Sequence, residues 1–362
     1  MLGNDSSMRI QFEPREGTSP IFRVLMPIIT ILLALVVSAI PLLYLRVNPL
    51  IAYRSILIGS CGDVYAVSET LVKAIPLILC GLAVAFPLAA NRSNIGAEGQ
   101  YLMGAFGASV VALALPQWPG WLLMCLMTLA GFAAGAFWGW IPGFLNAKFK
   151  ISEIIVSLMM NYIAFNWIAF MVYGALRDRE GYSNFPVSPK FARDAWFPRL
   201  IEGTRLHFGI VFALLAAIVL YVILKKTRIG YEIRVVGANP QTAEYSGIDT
   251  SKIVMLVMSM AGGLAALAGV GEVAALHHQL RQDISIGYGY TAIPVAMLGK
   301  GHPLGVILSG LLFAALFVGG SNMQQDVGVP AALVSIIQAL VVLFIIAGDT
   351  LQRNRIRIIR HS

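Results

Sequence analysis

The chain has 362 residues, 58% of them hydrophobic and only 12% charged, with a formal net charge of +8. A soluble domain is about a quarter charged, and the charge-free stretches 24–45, 101–147, 154–176 and 327–348 exceed the roughly 20 apolar residues that cross a bilayer as a helix. A soluble enzyme or nucleic-acid binder is excluded, and the apolar runs are continuous rather than alternating as in barrel strands, so the sequence predicts an all-α integral membrane protein.

The first 21 residues are polar and read as a cytoplasmic N-terminal tail. The run 22–46 is too long for the apolar core of a cleavable signal and lacks its small-residue cleavage site, so it is expected to remain as an anchor. Further segments are expected at 70–90, 101–116, 120–147, 152–174, 208–225, 252–278, 287–300, 303–322 and 330–348, making about ten transmembrane helices between 22 and 348. The third and eighth are short for full crossings and suit broken or re-entrant helices. Residues 349–362 form a basic tail.

Ten crossings place both termini on one side. With the termini inside, inner segments hold 16 of the 26 basic residues, most clearly in KTRIGYEIR and RNRIRIIR, so the termini are assigned to the cytoplasm. The excess positive charge reports this topology and anionic lipid, not nucleic acid. Cys61, Cys80 and Cys125 form no CxxC pair, and no metal centre is expected.

The stretch NRSNIGAEGQYLMGAFG at 91–107 is a polar island between apolar runs. Gly96 and Gly99 allow a turn and close approach, Asn94 suits a helix N-cap, and Glu98 would lie at the positive end of the helix dipole. Two readings stay open: a short solvated cytoplasmic turn, or a broken corner at membrane depth lining a pathway. In AGFAAGAFWGWIPGFL, Gly131, Gly135, Gly139 and Gly143 recur every four residues, a bare stripe for close helix packing. Asn161, Tyr162 and Asn166 in MMNYIAFN face some interior, where they either line a cavity or join helices. Lys73 is expected to snorkel to the outer interface, and Glu272, His277 and His278 to form a solvated helix end.

The longest inner connection is KKTRIGYEIRVVGANPQTAEYSGIDTSK, taken as a loop over 226–251. Within it Asn239 can cap, Pro240 suits the first helical position, and Gly247 ends about two turns of helix. Such a capped helix has the form of a docking knob for a cytoplasmic partner. The outer loop 175–207 carries no motif. NIGAEGQY at 94–101 echoes SIGYGYTA at 285–292, with Gly287 and Tyr288 in the second copy. The echo suits an inverted internal repeat with a site where helices break near the midplane.

Taken together, SNIGAEGQYLMGAFGA, ISEIIVSLMMNYIA, RIGYEIRVVGANPQTAEYSGID and GYGYTAIPVAMLGKGHPLGVILSGLLFAALFVGG resemble the permease subunit of ATP-binding-cassette importers. The branch is the nucleoside and simple-sugar one, related to branched-chain amino acid permeases. The resemblance spans roughly residues 50 to 350. It implies the fold of vitamin B12 importer permeases in a bacterial inner membrane. It implies as partners a second permease of related but different sequence, a cytoplasmic ATPase with tandem domains, and a periplasmic or lipoprotein substrate-binding protein. ATP and magnesium belong to the ATPase, because this chain has no GxxxxGK[ST] loop and needs no cofactor of its own.

Carried onto these residues, the resemblance makes Gly237, Asn239, Pro240, Ala243, Glu244, Tyr245, Gly247 and Ile248 the ATPase-coupling helix. It places Asn94, Gly96, Glu98, Gly99 and Gln100 beside the pathway, with Asn161, Tyr162, Gly287 and Tyr288. The expected solute is small and polar, a nucleoside first and a simple sugar as the alternative. A stand-alone secondary transporter would need Glu98 or Glu272 as its coupling group. An intramembrane enzyme would need a nucleophile–base pair or HExxH, which the chain lacks.

Overall fold

The structure is a computed structural model and describes residues 8–14, 20–178 and 185–360. Parts of the expected N-terminal tail and of the outer loop 175–207 therefore lie outside the described residues. The chain divides into two compact units, one of residues 60–318 and one of residues 1–59 with 319–362.

In the smaller unit, helix α1 (Pro20–Tyr44) is followed by α2 (Pro49–Cys61), the two bent by 117° at a short break. The break has local causes. Arg46 is left-handed at φ 57, Asn48 Oδ1 accepts from Leu50 N at 2.9 Å, and Pro49 takes the first helical position. The apolar core here joins Leu42, Ala52, Ile56, Met323, Leu333 and Ile337. Strand β1 (Met8–Pro14) pairs antiparallel with β2 (Asn354–Arg360), Met8 opposite Arg360. Both terminal tails thus contain a strand, which amends the purely helical reading.

The larger unit contains α3 (Val64–Leu88), α4 (Ala97–Ala114), α5 (Gly120–Phe149), α6 (Glu153–Tyr173), α7 (Gly209–Lys226), α8 (Arg228–Ala238), α9 (Pro240–Tyr245), α10 (Thr250–Gly271) and α11 (Tyr288–Leu298). Helix α10 continues as a π-turn over Glu272–His277. Helix α12 (Pro303–Val327) begins in this unit and ends in the other, where α13 (Ala331–Arg353) follows.

All ten expected apolar segments occur as helices. Among the described residues, however, only seven are long and apolar enough to cross a membrane, or eight if the bent pair is one span. The exceptions are informative: α11 has 11 residues, and α4 opens on Glu98 and Gln100. Both start inside the protein, Glu98 and Gln100 of α4 and Tyr288 of α11 being buried.

The glycine stripe of α5 is explained by α10. The two run antiparallel, so that Gly131 faces Val270, Gly135 faces Ala266 and Gly262, Gly139 faces Met258 and Gly262, and Gly143 faces Met258. Across the same seam Gly104 of α4 meets Ala266. Without side chains in the way, three backbones come into contact. That close packing is what holds helices together where lipid offers no hydrophobic drive.

Candidate functional site

The polar island is answered by depth. Asn94 Nδ2 donates to Ala83 O of α3 at 3.1 Å and to Gln100 Oε1 at 2.9 Å. Ala83 lies five residues before the end of α3, so the chain folds back along that helix before α4 starts. Gln100 then packs beside Gly135 and Gly139, near the middle of the 30-residue α5. Gly99 N donates at 2.8 Å to Asn161 Oδ1, near the middle of α6. The start of α4 is level with the centres of two spanning helices.

Asn94 is not the N-cap of α4. Gly96 holds that position without a side-chain cap, and Asn94 Oδ1 instead accepts from Gly96 N at 3.1 Å. This two-residue side-chain turn competes with the cap for the same oxygen. The echo repeats the device: Ser285 Oγ accepts from Gly287 N at 3.1 Å, and Gly287, left-handed at φ 89, opens α11. Gly96 O accepts from Gln100 N and Gly287 O from Thr291 N, each at 3.0 Å.

The two copies meet. Gly289 N donates to Glu98 Oε2 at 2.7 Å, and a Cβ at Gly289 would collide with the Glu98 backbone. Glu98 is buried, so its carboxylate needs partners. It sits in the first turn of its own helix and against the first turn of α11. Two sets of unpaired N–H groups and two positive dipole ends converge on it.

Above this junction Tyr288, fully buried, accepts from Lys73 Nζ at 2.8 Å and donates to Glu272 Oε1 at 3.4 Å. Lys73 does not snorkel, and Glu272 is not a solvated helix end: it is buried on the π-turn. Tyr101, also fully buried, donates to Ile284 O at 3.2 Å. Asn161 Nδ2 reaches Ile95 O at 2.9 Å and the Tyr290 hydroxyl at 3.4 Å. Tyr162, by contrast, points outward and is exposed. Lys73, Tyr101, Glu272 and Tyr290 were missed as a cluster because their common feature is contact across α3, α4, α10 and α11, which no local pattern encodes.

Helix α9 has the expected caps. Asn239 Oδ1 accepts from Gln241 N at 2.9 Å and Thr242 N at 3.2 Å, and Pro240 opens the helix. Gly247, at φ 76, and Ile248 donate to Glu244 O and Ala243 O, each at 3.0 Å. Ala243 is buried, whereas Tyr245 is 93% exposed. Glu244 accepts from Thr250 Oγ1 at 2.7 Å. The Asp249 carboxyl, which caps α10, is held below the usual carboxylate range, first by the Lys252 N–H.

The segment before α9, expected as loop, is helix α8. Gly237 in its last turn presses on Ala89 and Ala90, just past the end of α3. Two residues on, Arg92 approaches Glu153 at 3.9 Å, and Asn146 Nδ2 donates to the same carboxylate at 2.8 Å. A continuous line of contacts therefore runs from α9 through α8 to the corner beneath Glu98.

The described residues of the loop 175–207 pack on the end of α10 and the π-turn. Phe191 N donates to His278 O at 2.8 Å, Phe197 N to Ala274 O at 3.0 Å and Ser188 N to Leu280 O at 2.9 Å. Trp196 stacks on His278 at 3.8 Å. Arg205 makes a two-toothed ion pair with Glu69 of α3, which raises the guanidinium pKa. His207 Nδ1 accepts from Gly209 N at 3.1 Å, and burial pushes that imidazole from 6.5 down to about 4. Among the described residues no group of three or more His, Cys, Asp or Glu could hold a metal.

The chain is 39% identical to the glucose ABC transporter permease protein TsgB13 of Haloferax volcanii, covering 97% of this chain and 94% of the relative. It is 35% identical to the guanosine ABC transporter permease protein NupP of Bacillus subtilis, covering 89% and 92%. A second guanosine permease of that organism, NupQ, is 27% identical over 72% of this chain and 82% of its own length. The model of the branched-chain amino acid transport system / permease component family matches residues 66–346. That match covers both broken helices, the capped inner helix and the glycine seam, and the chain belongs to this family of transporter permeases.

Proposed function

We propose that this chain is one of two unlike membrane subunits of an ATP-binding-cassette importer that carries a nucleoside across a cytoplasmic membrane. The observation that carries the reading is the line of contacts from α9 to Glu98. A rigid, capped knob with an exposed tyrosine docks on a cytoplasmic ATPase. The seat of α8 on Ala89 and Ala90, through Gly237, passes the ATPase stroke to the corner where α4 and α11 begin. The chain supplies the pathway, and ATP and magnesium are used by the partner.

Asn94, Gly96, Glu98, Gly99, Gln100, Gly287 and Tyr288 hold this corner rigid from behind, and Asn161 and Tyr162 carry it to the pathway surface. The matching turns at Asn94–Gly96 and Ser285–Gly287 support an inverted repeat of the kind found in vitamin B12 importer permeases, with ten membrane segments counted with the two broken ones. The pairing of β1 with β2 brings the termini together, and the positive-inside rule then makes that side cytoplasmic. The outer cap is the face for the binding protein.

Nucleoside is favoured over sugar by the guanosine permeases among the relatives. The unequal likeness to that pair, 35% against 27%, supports assembly with a second, different permease. The test is purification of the chain from its native membrane, identification of co-purifying chains, and reconstitution in proteoliposomes. ATP-dependent guanosine uptake by a complex of two permeases and an ATPase is expected. Uptake by the lone chain without ATP would overturn the reading in favour of a secondary transporter.

A further inference from the structure

Tyr162 and Tyr290 carry phenol groups into a place where lipid would not tolerate them. Tyr162 is 60% exposed and lies at the middle of α6. Asn166, one turn on and on the same face, is also exposed and donates to Tyr162 O at 2.8 Å. Tyr290 is 41% exposed on the first turn of α11, and it approaches α6 at Asn161, the residue before Tyr162. Its hydroxyl is steadied by Asn161 Nδ2 at 3.4 Å. Asn161 in turn is fixed by Gly99 N and Ile95 O.

Hydroxyls and an amide at mid-bilayer depth must face protein or water, not hydrocarbon. Exposed tyrosine rings also offer something that amides alone do not, a flat π-surface. A nucleobase stacks on such a surface whatever its edge pattern. A hexose, without a π-face, gains less from it.

We propose that Tyr162 and Tyr290 form an aromatic constriction that selects the nucleobase in transit, with Asn166 beside it and Asn161 as the positioning residue that orients Tyr290. This rests on the nucleoside reading above. The constriction is coupled to the coupling helix by construction: Asn161 touches the backbone of the same corner that Gly237 drives from below.

The test uses the complete reconstituted transporter. With Cys61, Cys80 and Cys125 replaced, Tyr162→Cys and Tyr290→Cys should react with a membrane-impermeant methanethiosulfonate reagent and be protected by guanosine. Ile218→Cys, on an exposed apolar face of α7, should not react. Tyr290→Ala should lower guanosine uptake about tenfold to a hundredfold at subsaturating substrate, the loss of one base–aromatic stack, and Tyr290→Phe, which keeps the ring but loses the contact with Asn161, should lower it less. Unreactive cysteines at both positions, or full guanosine uptake with Tyr290→Ala, would overturn the constriction while leaving the nucleoside reading intact. A wild-type transporter that moves glucose and no nucleoside would overturn the nucleoside reading, and base selection with it. Cysteine reactivity would then still decide whether the pair lines the pathway.

Discussion

Gly237→Ala tests the seat on which the inner helix rests. A Cβ there would stand 3.0 Å from both Ala89 C and Ala90 Cα, and closer still to the Ala89 carbonyl oxygen. Those neighbours are backbone, so none can rotate aside, and α8 must retreat by about 1 Å to reach ordinary contact. Overpacking of this kind costs about 1–3 kcal/mol. Alanine returns at most about 1 kcal/mol through helix propensity, because Gly237 lies in the last turn of α8. The balance is about 1–2 kcal/mol against the seated state, a factor of about 5 to 30 in its population. The assay is guanosine uptake per ATP hydrolysed in proteoliposomes of the complete transporter. Hydrolysis should continue while uptake per ATP falls about fivefold or more. Wild-type coupling in both Gly237→Ala and the bulkier Gly237→Val would refute the idea that force passes through this contact.

Four further outcomes are expected. Glu98→Ala strands the Gly289 N–H and should cost about 1–3 kcal/mol of stability, read as a lower melting temperature of the detergent-solubilised complex; Glu98→Gln keeps an acceptor and should cost less, and equal melting temperatures for all three proteins would count against the junction. Gly135→Ala, whose Cβ would stand 2.5 Å from Gly262 O, should cut folded yield by fluorescence-detected size exclusion far more than Gly143→Ala, whose nearest neighbour is the Met258 Cβ at 2.9 Å; equal yields would contradict the seam. The neutral His207 favours the folded outer cap, so its contribution is complete above pH 6.5 and declines as pH falls toward 4. At pH 5 that loss is about 2 kcal/mol, so hydrogen exchange over 185–208 should quicken on acidification, and His207→Gln should blunt the response. Asn239→Ala removes two cap bonds and should weaken α9 by about 1 kcal/mol, seen as faster exchange at residues 240–246.

Local chemistry carried some of this plainly into the sequence. Asn239, Pro240 and Gly247 each act through neighbours within a few residues, so the inner helix could be drawn from the string alone. The glycine stripe was equally visible, though its partner on α10 was not. What could not be read depends on chain segments far apart. Lys73 and Glu272 looked like span-end charges because their mutual partner, Tyr288, lies on a third helix. Asn94 was mistaken for a cap because the same oxygen serves a cap and a side-chain turn, and only the packing against Ala83 chooses between them. Helix α2 was missed because Arg54 and its serines interrupt the apolar run, and α8 because its amphipathic pattern, with apolar Ile233 and Val236 buried and Arg234 exposed, resembles a charged loop.

The bond between Glu98 and Gly289 also joins residues 191 positions apart. A chain made from its N-terminus delivers Asn94, Glu98 and Gln100 to the membrane long before α11 exists. Until then the carboxylate has one helix end instead of two, and the first broken helix is an incomplete half. The insertion machinery must shelter this hairpin from lipid while α5, α6, α7 and α10 are threaded. Folding of this permease is therefore gated by its own C-terminal third, and a nascent chain stopped before residue 287 should be a substrate for membrane proteases. Pulse-chase of chains truncated at residue 280 and at residue 302 would show it: the shorter should decay faster, and equal lifetimes would mean that the corner is satisfied without α11.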